Sequence, residues 1–131
     1  MNRNEPSAEL DELARAVIGA AIEVHRTLGP GLLESLYENA LAEELRLRRI
    51  PFRRQVIIPM VYKDVAIGDA RVDLLVADQL VVELKSVRQF DDAHVGQVLG
   101  YLRAGGYQLG LLINFNVGRL RDGIKRLIQS Q

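Results

Sequence analysis

Three charged side chains sit within two apolar strand-like runs of this sequence. In the stretch Arg71-Val-Asp-Leu-Leu-Val-Ala-Asp-Gln-Leu-Val-Val-Glu-Leu-Lys85, the residues Asp73, Glu83 and Lys85 stand among valines and leucines. A charge within a sheet costs free energy unless it is paired or bound to something. Glu83 and Lys85 are two positions apart, so on a strand they leave the same face. Two carboxylates side by side repel each other unless a cation sits between them. Oxygens from Asp73 and Glu83, with the Leu84 carbonyl, suit Mg²⁺ or Mn²⁺. Such an ion lowers the pKa of a bound water and polarises a phosphate oxygen. Lys85 can hold the attacking water or stabilise charge developing on the phosphate. Spacing alone is equally compatible with a plain salt bridge from Lys85 to a carboxylate on an exposed sheet face.

The chemistry requires Asp73 to meet Glu83, and strand register decides this. Val72–Val76 and Leu80–Val87 read as two strands joined by Ala77, Asp78 and Gln79, too few residues for anything but a hairpin. A turn made only of Asp78 and Gln79 sets Leu74 opposite Glu83 and points Asp73 to the other side. One more loop residue, or a one-residue bulge, sets Asp73 opposite Glu83. The metal reading therefore predicts an odd-count hairpin around Asp78.

Other candidates are weaker when taken singly. Glu34 falls in the first turn of a helix after Gly29-Pro-Gly31, where a carboxylate is favoured by the helix dipole alone. Tyr37, three residues on and nearly on the same face, reads as core packing with its hydroxyl at the edge. His25 lies near the end of the first helix, where a lone histidine is more often structural than catalytic. Gln97 and Tyr101 are four apart on a third helix and can look over the strand ends that carry Glu83 and Lys85. Basic residues gather at Arg46, Arg48, Arg49, Arg53 and Arg54, and again at Arg119, Arg121, Lys125 and Arg126. Either group can touch a phosphate backbone, although charge runs are more often solvated surface.

The elements that must position these groups follow from periodicity. Leu10, Leu13, Ala14, Val17, Ile18 and Ala21 recur at helical spacing after Ser7, an N-cap candidate, and the helix stops at Leu28 before Gly29-Pro30. A second helix runs from about Leu32 to Arg48, and Pro51 ends it. Val56, Ile58, Met60 and Tyr62 alternate as in a strand, with Lys63-Asp64 as a turn. A third helix starts near Asp91-Asp92 and ends at Gly105-Gly106. Tyr107–Phe115 reads as a buried strand, and Leu120, Ile124, Leu127 and Ile128 read as a closing helix.

Composition bounds the class. The chain has 131 residues, enough for one domain with a modest core, with Met1–Pro6 as a loose end. There are no cysteines, which excludes disulfides and thiolate zinc sites. No apolar run approaches the roughly 20 residues that span a bilayer, and the first ten residues lack the apolar core of a signal peptide. The expectation is a cytoplasmic protein with no membrane partner. Seventeen basic and seventeen acidic residues cancel, which argues against coating nucleic acid by bulk charge.

Gly31-Leu-Leu-Glu34-Ser-Leu-Tyr37 resembles the GxxExxY signature of a small family assigned to the PD-(D/E)xK nuclease superfamily. The resemblance extends from about His25 to about Asn114 and includes Leu28-Gly-Pro-Gly31, the Asp73 strand and Val82-Glu-Leu-Lys85. It implies an α/β, restriction-endonuclease-like fold: a central mixed four-stranded sheet flanked by helices. It implies that Asp73 is the metal-binding aspartate of the second strand, and that Glu83 and Lys85 are the (D/E)xK pair of the third. Glu34 resembles the helix carboxylate that many members add to the metal site. Gln97 and Tyr101 resemble the QxxxY helix motif that orients the active site and touches DNA. The usual proline before the aspartate is replaced by Val72. The resemblance thus implies a Mg²⁺- or Mn²⁺-dependent nuclease acting on DNA, or less readily RNA. Members that do not cut give the alternative of an inactive module binding nucleic acid or a protein, and a homodimer is a further expectation from the superfamily.

Overall fold

The computed structural model describes residues 5–129, so Met1–Asn4 of the expected loose end lie outside it. Helix α1 (Ala8–Leu28) begins where the Ser7 hydroxyl accepts the Leu10 N–H at 3.1 Å, and helix α2 (Glu34–Leu47) follows the Gly29–Leu33 turn. Strands β1 (Phe52–Tyr62) and β2 (Val65–Val76) form a long hairpin. Lys63 and Asp64 at its tip both have positive φ, as a two-residue primed turn needs. Strand β3 (Leu80–Lys85), helix α3 (Asp92–Gly105) and strand β4 (Leu109–Asn114) come next. The side chains of Asp91 and His94 close a capping box at the start of α3.

The sheet has five strands in the order β1-β2-β3-β4-β5, not the expected four. It is mixed as expected, with β3 and β4 parallel and every other pair antiparallel. The fifth strand replaces the expected closing helix: Leu120–Gly123 form one 3-10 turn, and β5 (Ile124–Ile128) pairs with β4. Helical spacing of Leu120, Ile124, Leu127 and Ile128 misled because a short strand also fits it. Ile124 and Ile128 pack on one side of the sheet and Leu127 on the other. Pairing also satisfies the otherwise open edge of β4, a need that local periodicity does not register. Gly123 permits the return, since a Cβ there would collide with the Asn114 carbonyl oxygen.

Helices α1 and α2 cover one face of the sheet, packing on Leu74, Val76, Leu80, Val82, Leu84, Leu109, Leu111 and Ile113. Helix α3 covers the other, against Val72, Leu75, Val81 and Leu112. The β1–β2 hairpin changes face partway along. Phe52, Leu74 and Val76 pack toward α1 and α2, whereas Val56, Ile58, Val72 and Ala70 pack toward α3. Simple alternation would keep all of these even-numbered residues of a strand on one side. The switch falls at Gln55, whose φ of 51° is left-handed, and at Asp73 across from it. No described helix is long and apolar enough to cross a membrane.

Candidate functional site

The β2–β3 hairpin has three loop residues, as the metal reading required. Val76 pairs with Leu80, Leu75 with Val81, and Leu74 with Val82, so Ala77, Asp78 and Gln79 form the connection. Ala77 and Asp78 have φ of 51° and 56°, and the Gln79 N–H donates to the Val76 carbonyl at 3.0 Å. Continuing this register puts Asp73 on the rung of Glu83.

At that rung side chains replace the backbone ladder. The Asp73 N–H donates to Glu83 Oε1 at 2.8 Å, and the Leu84 N–H donates to Asp73 Oδ2 at 2.8 Å. The two carboxylates therefore lock the strands reciprocally where backbone pairing stops. In a strand the N–H and C=O of one residue point to the same side. The Leu84 carbonyl thus faces the β2 side, toward Asp73, while the Lys85 carbonyl faces β4 and accepts the Phe115 N–H at 2.9 Å. Glu83 is 5% exposed and lies between residues that face α1 and α2, so its side chain faces α3, as does that of Lys85.

The electrostatics are those of carboxylates held short of positive charge. Burial, and then the neighbouring Asp73 charge, push Glu83 up to about 8, against the opposing pull of the Asp73 N–H and of Lys85. Asp73 is raised first by burial, with the Leu84 N–H opposing and the Glu38 charge adding to the rise. Glu34 is also raised, first by burial, with Lys85 opposing and Asp73 and Glu38 adding. Tyr101 is raised by burial, then by Glu83 and Asp73, which places its hydroxyl within their field. Each shift is toward the protonated form, and a cation near Asp73 and Glu83 would oppose it.

Other expected residues divide. Glu34 stands in the first turn of α2 and senses Lys85 and Asp73, but among the described residues no three acidic or imidazole groups gather closely enough to form a metal cage. Gln97 is exposed on α3, and Tyr101 is half-buried on the same helix. Tyr37 is fully buried and stacks on Phe115 with ring centroids 4.4 Å apart. Its hydroxyl donates to the Gly29 carbonyl at 2.6 Å and accepts the Leu32 N–H at 3.1 Å. It shapes the turn leading to Glu34, and its polar atom is occupied in doing so. His25 is buried, with Nε2 2.8 Å from the Val117 carbonyl, so that nitrogen carries the proton and donates. His25 braces α1 against the segment after β4 and does not join the carboxylates. Among the described residues Lys85 has no carboxylate within ion-pair distance, unlike the simple salt bridge.

Two residues of the site escaped the sequence reading. Glu38 is 8% exposed; its Oε2 accepts Arg54 Nη2 at 2.8 Å and its Oε1 accepts Gln55 Nε2 at 2.7 Å. The same Gln55 amide nitrogen stands 3.4 Å from Asp73 Oδ1. Glu38 was legible as the residue one turn after Glu34 on the same face. Gln55 was not, because nothing local announces a left-handed glutamine within a strand. A non-glycine residue held at positive φ costs of the order of 1–3 kcal/mol, and here that backbone brings an amide to both carboxylates.

The donor set fits a hard divalent ion. Asp73 Oδ1 has only the long hydrogen bond from Gln55, Glu83 keeps one oxygen outside the backbone lock, and the Leu84 carbonyl faces the same gap. A sequence model described as the PD-(D/E)XK nuclease superfamily matches residues 11–127. No curated protein matches the chain.

Proposed function

The chain belongs to the PD-(D/E)XK nuclease superfamily, and from that premise we propose that it is a metal-dependent nuclease hydrolysing phosphodiester bonds in DNA. Within the superfamily we assign it to the GxxExxY group on Gly31, Glu34 and Tyr37. The observation that carries the proposal is the Asp73–Glu83 rung, where a half-buried and a buried carboxylate replace the backbone ladder and Lys85 follows on the same face.

Asp73, Glu83 and the Leu84 carbonyl would hold Mg²⁺ or Mn²⁺, with Glu34 as a further oxygen donor. When bound, the ion supplies Lewis acidity toward the phosphate and a more acidic water. The chain supplies the rest. Burial and Asp73 raise the Glu83 carboxyl to about 8, and positive charge held beside it would favour its ionised form. The Leu84 and Asp73 N–H groups fix one oxygen of each carboxylate, so little ordering remains for the moment of reaction. Lys85 Nζ, unpaired by any described carboxylate, is available to the non-bridging phosphate oxygen that gains charge. Gln55 holds Asp73 from the neighbouring strand β1, and Tyr101 on α3 stands within the field of Glu83 and Asp73.

A second reading, an inactive module that binds nucleic acid or protein, rests on Glu34 standing apart from the pair. Cleavage of a mixed panel of single- and double-stranded DNA and RNA with Mn²⁺ separates the two. Lys85→Ala is expected to lower the rate by about 10²–10³ while leaving Mn²⁺ affinity within a few-fold. Equal cleavage by native protein and Lys85→Ala would remove Lys85 from the proposal, and no cleavage of any substrate would favour the module.

A further inference from the structure

The two basic groups of the sequence end differently in the fold. Arg46 bonds Glu43, Arg48 bonds Glu44, Arg53 bonds Asp78 and Arg54 bonds Glu38. Most of the first group is thus neutralised by carboxylates of the same chain. In the second group Arg126 is paired with Asp11. Arg119 and Arg121 form no ion pair among the described residues, and with Arg26 they line an open cavity of about 360 Å³ beside His25 and Leu120. Arg26 has one carboxylate neighbour, Glu23 at 3.5 Å, in a pair whose side chains are 72% and 43% exposed, and such pairs contribute little. The acidic residue nearest in sequence is Asp122, whose N–H donates to the Arg119 carbonyl.

This cavity is built, and it is tied to the carboxylate site. The His25 Nε2–H donates to the Val117 carbonyl, clamping the segment that carries Arg119 and Arg121 onto the end of α1 that carries Arg26. That segment is in turn bonded to the residues after β3. The Phe115 N–H donates to the Lys85 carbonyl at 2.9 Å, the Val87 N–H to Asn114 Oδ1 at 3.1 Å, and Asn116 Nδ2 to the Val87 carbonyl at 3.3 Å. Because β3 and β4 are parallel, with Lys85 beside Asn114, both features lie at the same end of the sheet. The Glu83 and Lys85 side chains leave the α3 face of the sheet, whereas the cavity lies on the α1 side with Ile22 and Leu120, so a strand that reaches both passes over this end of the sheet.

We propose that the Arg26–Arg119–Arg121 cavity is a second anion site that holds one backbone phosphate of the nucleic-acid strand, away from the bond placed at Asp73, Glu83 and Lys85. This rests on the phosphodiester reading of the carboxylate site and adds to it where the strand runs. Guanidinium groups suit the task because their planar donor forks match phosphate oxygens. Bonds of this kind position a strand without reading its bases. They also supply locally the positive charge that a chain of zero net charge lacks overall.

The test is binding without metal. Anisotropy of a labelled DNA duplex is measured in EDTA, across a salt series, for four proteins: native, Asp73→Asn, the triple variant Arg26→Gln/Arg119→Gln/Arg121→Gln, and a charge-matched triple elsewhere, Arg15→Gln/Arg46→Gln/Lys63→Gln. The cavity triple is expected to bind at least about tenfold more weakly and to show a salt slope shallower by about 0.9, the change for one phosphate that is no longer neutralised. The control triple is expected to change affinity less than threefold. If the cavity triple misfolds, the double Arg119→Gln/Arg121→Gln on the exposed turn serves. Cavity and control variants that behave alike, or a native protein that does not bind, would overturn the proposal. Mn²⁺-dependent cleavage of the same duplex is scored separately. Cleavage without cavity-dependent binding sinks this inference alone, and cavity-dependent binding without cleavage sinks only the nuclease reading.

Discussion

Removing the ionisable proton of Glu83 should make the metal-free protein more stable above neutrality, although the substitution lies at the centre of the site. Burial and Asp73 raise this carboxyl from 4.5 to about 8. At about 1.36 kcal/mol per unit, the folded state then resists ionisation by up to about 5 kcal/mol. A pKa raised by folding gives stability that is complete below the unfolded value and is lost as pH rises through the folded one. The loss therefore runs from about pH 4.5 to about pH 8. Between pH 5 and pH 9 it amounts to roughly 4 kcal/mol, or roughly 10–15 °C in Tm for a chain of this size. Glu83→Gln keeps an oxygen to accept the Asp73 N–H but has no charge to bury. Thermal unfolding in EDTA at pH 5, 7 and 9 should show the native protein falling away from Glu83→Gln as pH rises. Curves that stay parallel from pH 5 to pH 9 would refute the claim that an uncompensated carboxylate is buried at this rung.

Two further substitutions test the frame around the site. Gln55→Gly and Gln55→Ala both lose the amide that holds Glu38 and Asp73, but only glycine accepts a φ of 51° without strain. Urea unfolding should find Gln55→Gly more stable than Gln55→Ala by about 1 kcal/mol, and an alanine variant equal to or above glycine would argue against a left-handed residue there. Tyr37→Phe keeps the stack on Phe115 while orphaning the Gly29 carbonyl and the Leu32 N–H. It should cost about 1–3 kcal/mol in the same assay, and a neutral result would mean that the turn before Glu34 does not depend on that hydroxyl.

The features legible in the sequence were those set by counting. Asp73 meets Glu83 because three residues, not two, separate Val76 from Leu80. That arithmetic needs only the order of residues, as do the helix boundaries at Ser7, Gly29 and Gly106, where caps and glycines mark helix ends. What escaped notice depends on long-range demand. The last strand forms because β4 has an open edge, and its five residues carry no pattern strong enough to displace a helical reading. Gln55 entered the site through a backbone conformation unusual for its type, and Glu38 through partners 16 and 17 residues away. His25 and Tyr37 lie near the candidate chemistry in sequence, yet each has its polar atom bonded to backbone, because buried polar atoms must find partners.

The central claim is that Asp73 and Glu83 form a cation site completed by deprotonation. Calorimetric titration of Mn²⁺ into the native protein and into Asp73→Ala, at pH 6 and pH 8.5 in buffers of different ionisation enthalpy, tests it most directly. Binding is expected to strengthen with pH, to release close to one proton at pH 6, and to disappear in Asp73→Ala. Equal binding by both proteins, or none by the native protein at pH 8.5 even with DNA present, would contradict the claim.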